Sequence, residues 1–129
     1  MAKITIAEAL KFAEQNFPKA PEKLVELLKI EVRRSSLNCD GWCLQIGERS
    51  VIRLNNNGSI PKTRQRFTLA HELGHLILGI PSLIGESMLE TSTTISQEEK
   101  KVNEFASEFL LPEAIVKSEL ESLRLLQQN

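Results

Sequence analysis

The chain has few of the residues on which much protein chemistry depends. Its 129 residues include two cysteines, two histidines and no tyrosine. The cysteines, Cys39 and Cys43, lie close together, and no second pair exists that would complete a cysteine-rich zinc site. We therefore expect two reduced cysteines flanking a turn, rather than half of a metal site or a redox pair.

An excess of charge of one sign is also missing, because 16 basic residues face 17 acidic ones and the net charge is −1. A duplex-DNA binder usually carries a basic excess or stripe, so direct nucleic-acid binding is not expected. No apolar run reaches the roughly 18 residues of a membrane span, and Glu8 and Lys11 interrupt the N-terminus too early for a secretory signal. We predict a single cytoplasmic domain over residues 1–129.

The hydrophobic pattern of the first half predicts helices followed by a small sheet. Apolar residues recur at helical spacing over 4–16, and Thr5 with Glu8 can form a capping box. A second amphipathic segment opens near Pro21. Three short β-type runs follow, at 30–34, 42–46 and 50–54, and the last two read as a hairpin. We predict an α+β fold, with a small, mainly antiparallel three-stranded sheet packed against several helices.

The second half predicts three more helices. The first runs from about Pro61 to Leu78 and the second from about Ser96 to Leu110, while Pro112 permits a third. Residues 81–95 are rich in serine, threonine, glycine and proline, which predicts a loop and a candidate flap.

Both histidines, His71 and His75, lie on the helix predicted from 61 to 78. Their spacing puts the two imidazoles on one helical face, one turn apart, which is the geometry that two zinc ligands need. Glu72 lies about 100° around the helix from His71, where it can reach a metal-bound water without binding the metal. In the pattern His-Glu-x-x-His the glutamate is the general base of a zinc peptidase. We therefore predict zinc ligands at His71 and His75 and a catalytic base at Glu72.

The other residues of this helix predict one buried face and one accessible face. The half opposite His71 carries apolar residues, namely Leu69, Leu73, Leu76, Ile77 and Ile80. That half can pack on the sheet while the histidine face looks into a cleft. Gly74, between the two histidines, has no side chain and permits close approach by a neighbouring element.

A catalytic zinc takes three protein ligands and keeps one position open, so a third ligand is required. No third histidine exists, and the only aspartate, Asp40, lies upstream in a predicted turn. The long metzincin pattern is thus excluded, and a glutamate downstream of the helix is expected. The candidates are Glu86, Glu90, Glu98, Glu99, Glu104 and Glu108.

The apolar face of the helix over 96–110 narrows this set. Glu104 and Glu108 point away from that face and are expected to be solvated. Glu98 and Glu99 flank it on either side, and periodicity alone does not separate them. Asn103 shares the side of Glu99, and an amide there can hold a ligand histidine by a hydrogen bond. We choose Glu99, with Glu98 as the alternative, although the helix dipole alone also favours glutamate in a first turn.

Two stretches carry a family resemblance. Residues 64–75 (RQRFTLAHELGH) resemble the signature of the ImmA/IrrE family of metallo-endopeptidases, and residues 99–112 (EKKVNEFASEFLLP) resemble that family's second motif. One departure is visible, because Val102 stands where the family usually has alanine. The resemblance implies zinc ligands at His71, His75 and Glu99, with Glu72 as base. It also implies a thermolysin-like helix pair and cleavage of helix-turn-helix repressors of the XRE type.

Two parts of a peptidase mechanism are less evident. With no tyrosine and no spare histidine, Arg64 is the candidate oxyanion stabiliser, although a surface ion pair is the commoner role of an arginine. A substrate strand is expected to add to an exposed sheet edge along residues 50–54. The alternative function is a non-proteolytic, zinc-containing regulator that binds a partner, or a component of a toxin–antitoxin pair.

Overall fold

The fold combines five helices with one three-stranded sheet in the part of the chain that the computed structural model describes, residues 4–82 and 96–128. The predicted α+β class is confirmed. The three strands and the helices predicted over 61–78 and 96–110 begin and end within one residue of their predicted bounds. The elements are α1 (Ile6–Gln15), α2 (Ala20–Leu27), β1 (Glu31–Ser35), β2 (Gly41–Ile46), β3 (Arg49–Asn55), α3 (Lys62–Leu78), α4 (Gln97–Leu110) and α5 (Glu113–Gln127).

Helix α1 begins at the predicted capping box. The Thr5 hydroxyl accepts from the Glu8 amide at 3.1 Å, and the Glu8 carboxylate accepts from the Thr5 amide at 3.1 Å. Two backbone donors that the first helical turn leaves unpaired are thereby satisfied. The buried face of α1, with Ala9 and Ala13, packs against α2 and α4 and closes one end of the core.

The sheet has the strand order β1-β3-β2 and is mixed. β2 and β3 form the predicted antiparallel hairpin, which turns at Gly47 with a positive φ of 59°. β1 instead pairs with β3 in parallel, with Glu31 opposite Val51. Since β3 is the central strand and has partners on both edges, the prediction that a substrate strand adds along residues 50–54 is wrong.

Helix α3 lies at the centre of the molecule, with β2 and β3 on one side and α4 on the other. Leu69, Leu73 and Leu76 are buried, as the helical wheel predicts. β2 comes very close to α3 at Gly41, where an added Cβ would lie 2.9 Å from Thr68 Cγ2. This contact fixes the distance between the sheet and the helix that carries both histidines.

The approach of α4 to α3 depends on Gly74. A Cβ on this residue would lie 3.0 Å from Phe105 Cδ1 and 3.2 Å from Val102 Cγ1, both on α4. The prediction that Gly74 permits a close neighbour is confirmed. The two helices therefore meet at the turn that separates His71 from His75.

Helix α5 extends from the core and buries none of its residues. Five of its large apolar side chains are more than a third exposed, namely Val116, Leu120, Leu123, Leu125 and Leu126. Within the described residues, no helix is long and apolar enough to cross a membrane. The predicted loop and flap over 81–95 fall outside the described residues from position 83 onward.

Candidate metal centre

Three predicted ligands meet where α3 and α4 face each other. The Nε2 atoms of His71 and His75 are 3.2 Å apart. Glu99 reaches them from α4, with Oε2 3.2 Å from His71 Nε2 and Oε1 3.0 Å from His75 Nε2. The His75 side chain is 2% exposed and the Glu99 side chain 34% exposed, so the cluster is closed at its base and accessible beside the glutamate.

The first turn of α4 directs Glu99 into this cluster. Ser96 caps the helix, because its hydroxyl accepts from the Glu99 amide at 3.1 Å. A glutamate three residues after a serine cap often returns its carboxylate to the cap backbone. Here the carboxylate instead contacts the two imidazoles, so the helix N-terminus alone does not account for its position.

Hydrogen bonds at the opposite ring nitrogens fix the tautomer of each histidine. His71 Nδ1 donates to Asn103 Oδ1 at 2.8 Å, which is the contact that the sequence analysis expects of Asn103. His75 Nδ1 donates to the Ile80 carbonyl at 2.8 Å. Because each Nδ1 carries the proton, each Nε2 presents a lone pair to the centre of the cluster.

The converging atoms fit a divalent cation. Two imidazole lone pairs and a carboxylate, all acceptors, meet within 3.0–3.2 Å of one another. Ligands about 2.0–2.1 Å from a tetrahedral zinc are about 3.3–3.4 Å apart, which is close to these separations. The donor set is one that zinc accepts, and orienting bonds at Nδ1 are usual for metal-ligating histidines.

Glu72 lies on the inner side of the same centre. Atoms of His71, Glu72 and His75 that can bind a metal all lie within 4.8 Å of one another. The glutamate is 3% exposed, and its Oε1 accepts a hydrogen bond from the Ser82 hydroxyl at 3.0 Å. Glu72 therefore lies close to the two histidines, while Glu99 makes the short contacts with both of their Nε2 atoms.

Cys43 is also part of this region, because it points from β2 towards Glu72. Its thiol is buried beside the Glu72 carboxylate and Ser82. Burial raises the pKa of the Cys43 thiol far above its ordinary value, and the negative charge of Glu72 raises it further. The thiol therefore stays protonated at neutral pH in the metal-free protein.

The remaining candidates do not join the cluster. Glu98 and Glu104 are exposed, and Glu108 accepts a hydrogen bond from the Glu113 amide. Arg64 forms an ion pair with Asp40, with Nη2 2.9 Å from Oδ2, which is the commoner role weighed for it above. Two further glutamates lie outside the described residues, namely Glu86 and Glu90.

Three contacts of the centre were missed by reasoning from the sequence. The Ile80 carbonyl is a backbone group, although Gly79 does signal a turn at that point. The chain turns there because Gly79 adopts a positive φ of 70°, and the Ile80 amide bonds back to the His75 carbonyl. Cys43 and Ser82 were missed because no local pattern links them to Glu72.

A comparison with protein families finds one matching model. The model described as the IrrE N-terminal-like domain (Peptidase_M78) matches residues 26–128. The match spans all three strands and includes α3 and α4, with all four predicted site residues. No curated protein matches the chain.

Proposed function

Because the chain belongs to the IrrE N-terminal-like domain family of metal-dependent peptidases, we propose that it is a zinc-dependent endopeptidase that cleaves a helix-turn-helix repressor of the XRE type. The family itself implies hydrolysis of peptide bonds. The observation that carries the proposal is the convergence of His71, His75 and Glu99, with Glu72 buried beside them.

His71, His75 and Glu99 are the residues that would hold the zinc ion. When bound, zinc would lower the pKa of a water at its open position and polarise the scissile carbonyl. The histidines contribute neutral Nε2 atoms, whose orientation Asn103 and the Ile80 carbonyl maintain. Three protein ligands leave a position open, which favours a catalytic site over a closed structural one.

Glu72 is the proposed general base. A carboxylate oxygen of Glu72 takes a proton from the attacking water and then passes it to the leaving amine. The burial of Glu72 supports this role, because bulk water is largely kept away from the carboxylate and does not compete with the attacking water for its proton. A purely structural metal site would have no need of this glutamate. The thermolysin-like pairing of α3 with α4 remains part of the proposal.

The edge of β2 is the proposed docking strand for the substrate. Among the described residues, β2 pairs only with β3, so its other edge is available to an added strand. Cys43, on this strand, lies beside Glu72. A peptide paired with the edge of β2 would therefore run close to Glu72. The docking strand is thus moved from β3, where the sequence analysis expected it, to a neighbouring edge.

The test compares zinc-loaded wild type with Glu72→Gln on a proteome-derived peptide library, with new peptide termini identified by mass spectrometry. Wild type should create internal cuts, and Glu72→Gln should lose them by at least about 100-fold, because a general base contributes that much or more. Both proteins should contain zinc. Equal cleavage by the two proteins, or none by zinc-loaded wild type, would contradict the peptidase proposal.

A second arm tests the substrate class. Purified XRE-type repressors, including any that is encoded next to the gene, are incubated with both proteins and analysed for fragments. Cleavage by wild type alone would support the repressor proposal. Library peptides that are cut while every repressor stays intact would overturn the repressor proposal and leave the peptidase activity standing.

A further inference from the structure

The buried carboxylate of Glu72 needs hydrogen-bond donors, and it finds them outside its own helix. A glutamate that is only 3% exposed has lost most of the water around its carboxylate, which is costly unless protein donors replace the lost hydrogen bonds. Neither histidine can serve, because their Nδ1 protons are already donated to Asn103 and the Ile80 carbonyl. The donors come from two other parts of the fold.

The first donor is Ser82, which follows the turn that ends α3. Its hydroxyl donates to Glu72 Oε1 at 3.0 Å, ten residues along the chain. Gly79 reverses the chain at the end of α3, so that the segment after the helix returns towards the residues of its middle turns. The same turn brings the Ile80 carbonyl to His75.

The second donor is Cys43, which approaches from the opposite side on β2. Its buried thiol lies beside the Glu72 carboxylate and Ser82, close enough for both to act on its pKa. Burial and the charge of Glu72 both raise that pKa, so the thiol keeps the proton that it would donate to the carboxylate. The chain's other cysteine, Cys39, faces the Gly41 carbonyl at 3.8 Å instead and belongs to no such cluster.

We propose that Cys43 and Ser82 are positioning residues that together hold the Glu72 carboxylate in the orientation required for proton transfer. The inference rests on the proposed function of Glu72. One donor comes from the sheet and the other from the segment after α3, so the carboxylate is held from two sides. No hydrogen bond links either residue to His71, His75 or Glu99 among the described residues, and Glu99 affects the Cys43 thiol less than Glu72 does.

The test measures kcat and KM with a fluorogenic peptide based on a sequence cut in the library experiment. Cys43→Val and Ser82→Ala remove one donor each, while Cys43→Ser and Ser82→Thr keep a donor in place. Cys39→Val and Ser118→Ala are the matched controls, since Cys39 contacts neither Glu72 nor Ser82 and Ser118 is exposed on α5. Zinc content and Tm are measured for every variant.

Loss of either donor should lower kcat by about 10-fold to 100-fold, because a small misplacement of a catalytic group has effects of that size. KM should change less than about twofold, and zinc should stay at about one per chain. The conservative variants should recover most of kcat, which a loss of packing alone would not predict. The control variants should match wild type.

The outcomes separate this inference from the proposed function. An unchanged kcat in both Cys43→Val and Ser82→Ala, while Glu72→Gln abolishes cleavage, would overturn the positioning role and leave the peptidase intact. If zinc-loaded wild type cleaves nothing, the proposed function is wrong. The contact between Cys43 and Glu72 is then tested by a measurement that does not depend on activity.

That independent readout is thermal unfolding of the metal-free protein. If the thiol donates to Glu72, the Tm losses of Cys43→Val and Glu72→Leu should be less than additive in the double variant, because both remove the same hydrogen bond. Cys39→Val combined with Glu72→Leu should be additive. Additive losses in both pairs would contradict the contact, and Ser82→Ala with Glu72→Leu repeats the test if Cys43→Val does not fold.

Discussion

Asn103 on α4 accepts a hydrogen bond from Nδ1 of His71 on α3 at 2.8 Å, and Glu99, one turn earlier on α4, contacts the other nitrogen of the same ring. One helix thus contacts both nitrogen atoms of a single imidazole ring. This arrangement makes the distance between α3 and α4 the property on which the centre depends.

Removal of the Asn103 amide should weaken metal binding. Asn103→Ala leaves His71 Nδ1 without its acceptor, so the ring loses its fixed tautomer and orientation. Loss of such a partner typically costs about 10-fold to 100-fold in metal affinity. Competition with a zinc-binding dye measures this, and Asn103→Asp, which keeps an acceptor, should recover most of the affinity. An affinity unchanged by Asn103→Ala would show that His71 does not depend on this bond.

Strain at Gly79 should affect the metal centre, whereas the same strain elsewhere should not. Gly79→Ala places a side chain at a φ of 70°, and Gly47→Ala does so at 59° in the hairpin turn. Each should lower the free energy of unfolding by about 1–2 kcal/mol. Only Gly79→Ala should also lower zinc affinity, because it disturbs the Ile80 carbonyl that orients His75. Equal zinc affinities in the two variants would contradict this role of the turn.

Gly74→Ala should separate α4 from α3. The added methyl would meet Val102 and Phe105 at 3.0–3.2 Å, and overpacking of a core typically costs about 1–3 kcal/mol. Because α4 carries Glu99, zinc affinity should fall together with the free energy of unfolding in urea. Combining Gly74→Ala with Val102→Ala, which removes the Cγ1 contact, should recover part of the affinity. A double variant no better than Gly74→Ala would mean that this contact does not set the helix separation.

Much of this arrangement could be predicted from the sequence because it depends on residue spacing within single helices and strands. Helical spacing gave the face that carries His71 and His75, and the shared side of Asn103 and Glu99 favoured the glutamate that lies against both rings. The strand bounds followed from alternation of apolar and polar residues. In each case the pattern lies within one element.

The rest could not be predicted because it depends on which elements become neighbours. Alternation tells which face of β1 is buried, but it does not tell that β1 pairs with β3 in parallel and makes β3 the central strand. Cys43 and Glu72 are 29 positions apart and belong to no shared pattern. Cys43 lies within β2, as predicted for residues 42–46, but no pattern in the sequence indicates that it lies beside Glu72.

The raised pKa of Cys43 should make the folded protein less stable in alkali. Since the folded state holds the thiol proton more tightly than the unfolded chain, this contribution to stability is complete below the ordinary thiol pKa of 9.0 and is lost as pH rises above it. Between about pH 9 and pH 10.5, the free energy of unfolding of metal-free wild type in urea should fall relative to that of Cys43→Val, by up to about 1.4 kcal/mol per pH unit. Cys39→Val should follow wild type. Parallel curves for wild type and Cys43→Val would refute the shift.

The metal content of the purified protein tests the central claim most directly. Wild type, Glu99→Gln and Glu98→Gln are reconstituted with zinc, dialysed and analysed by atomic emission, so that the two variants differ only in which of two adjacent glutamates is neutral. The three-ligand site predicts about one zinc per chain in wild type and in Glu98→Gln, with zinc lost from Glu99→Gln. No zinc in reconstituted wild type, or equal retention by the two variants, would contradict a centre formed by His71, His75 and Glu99.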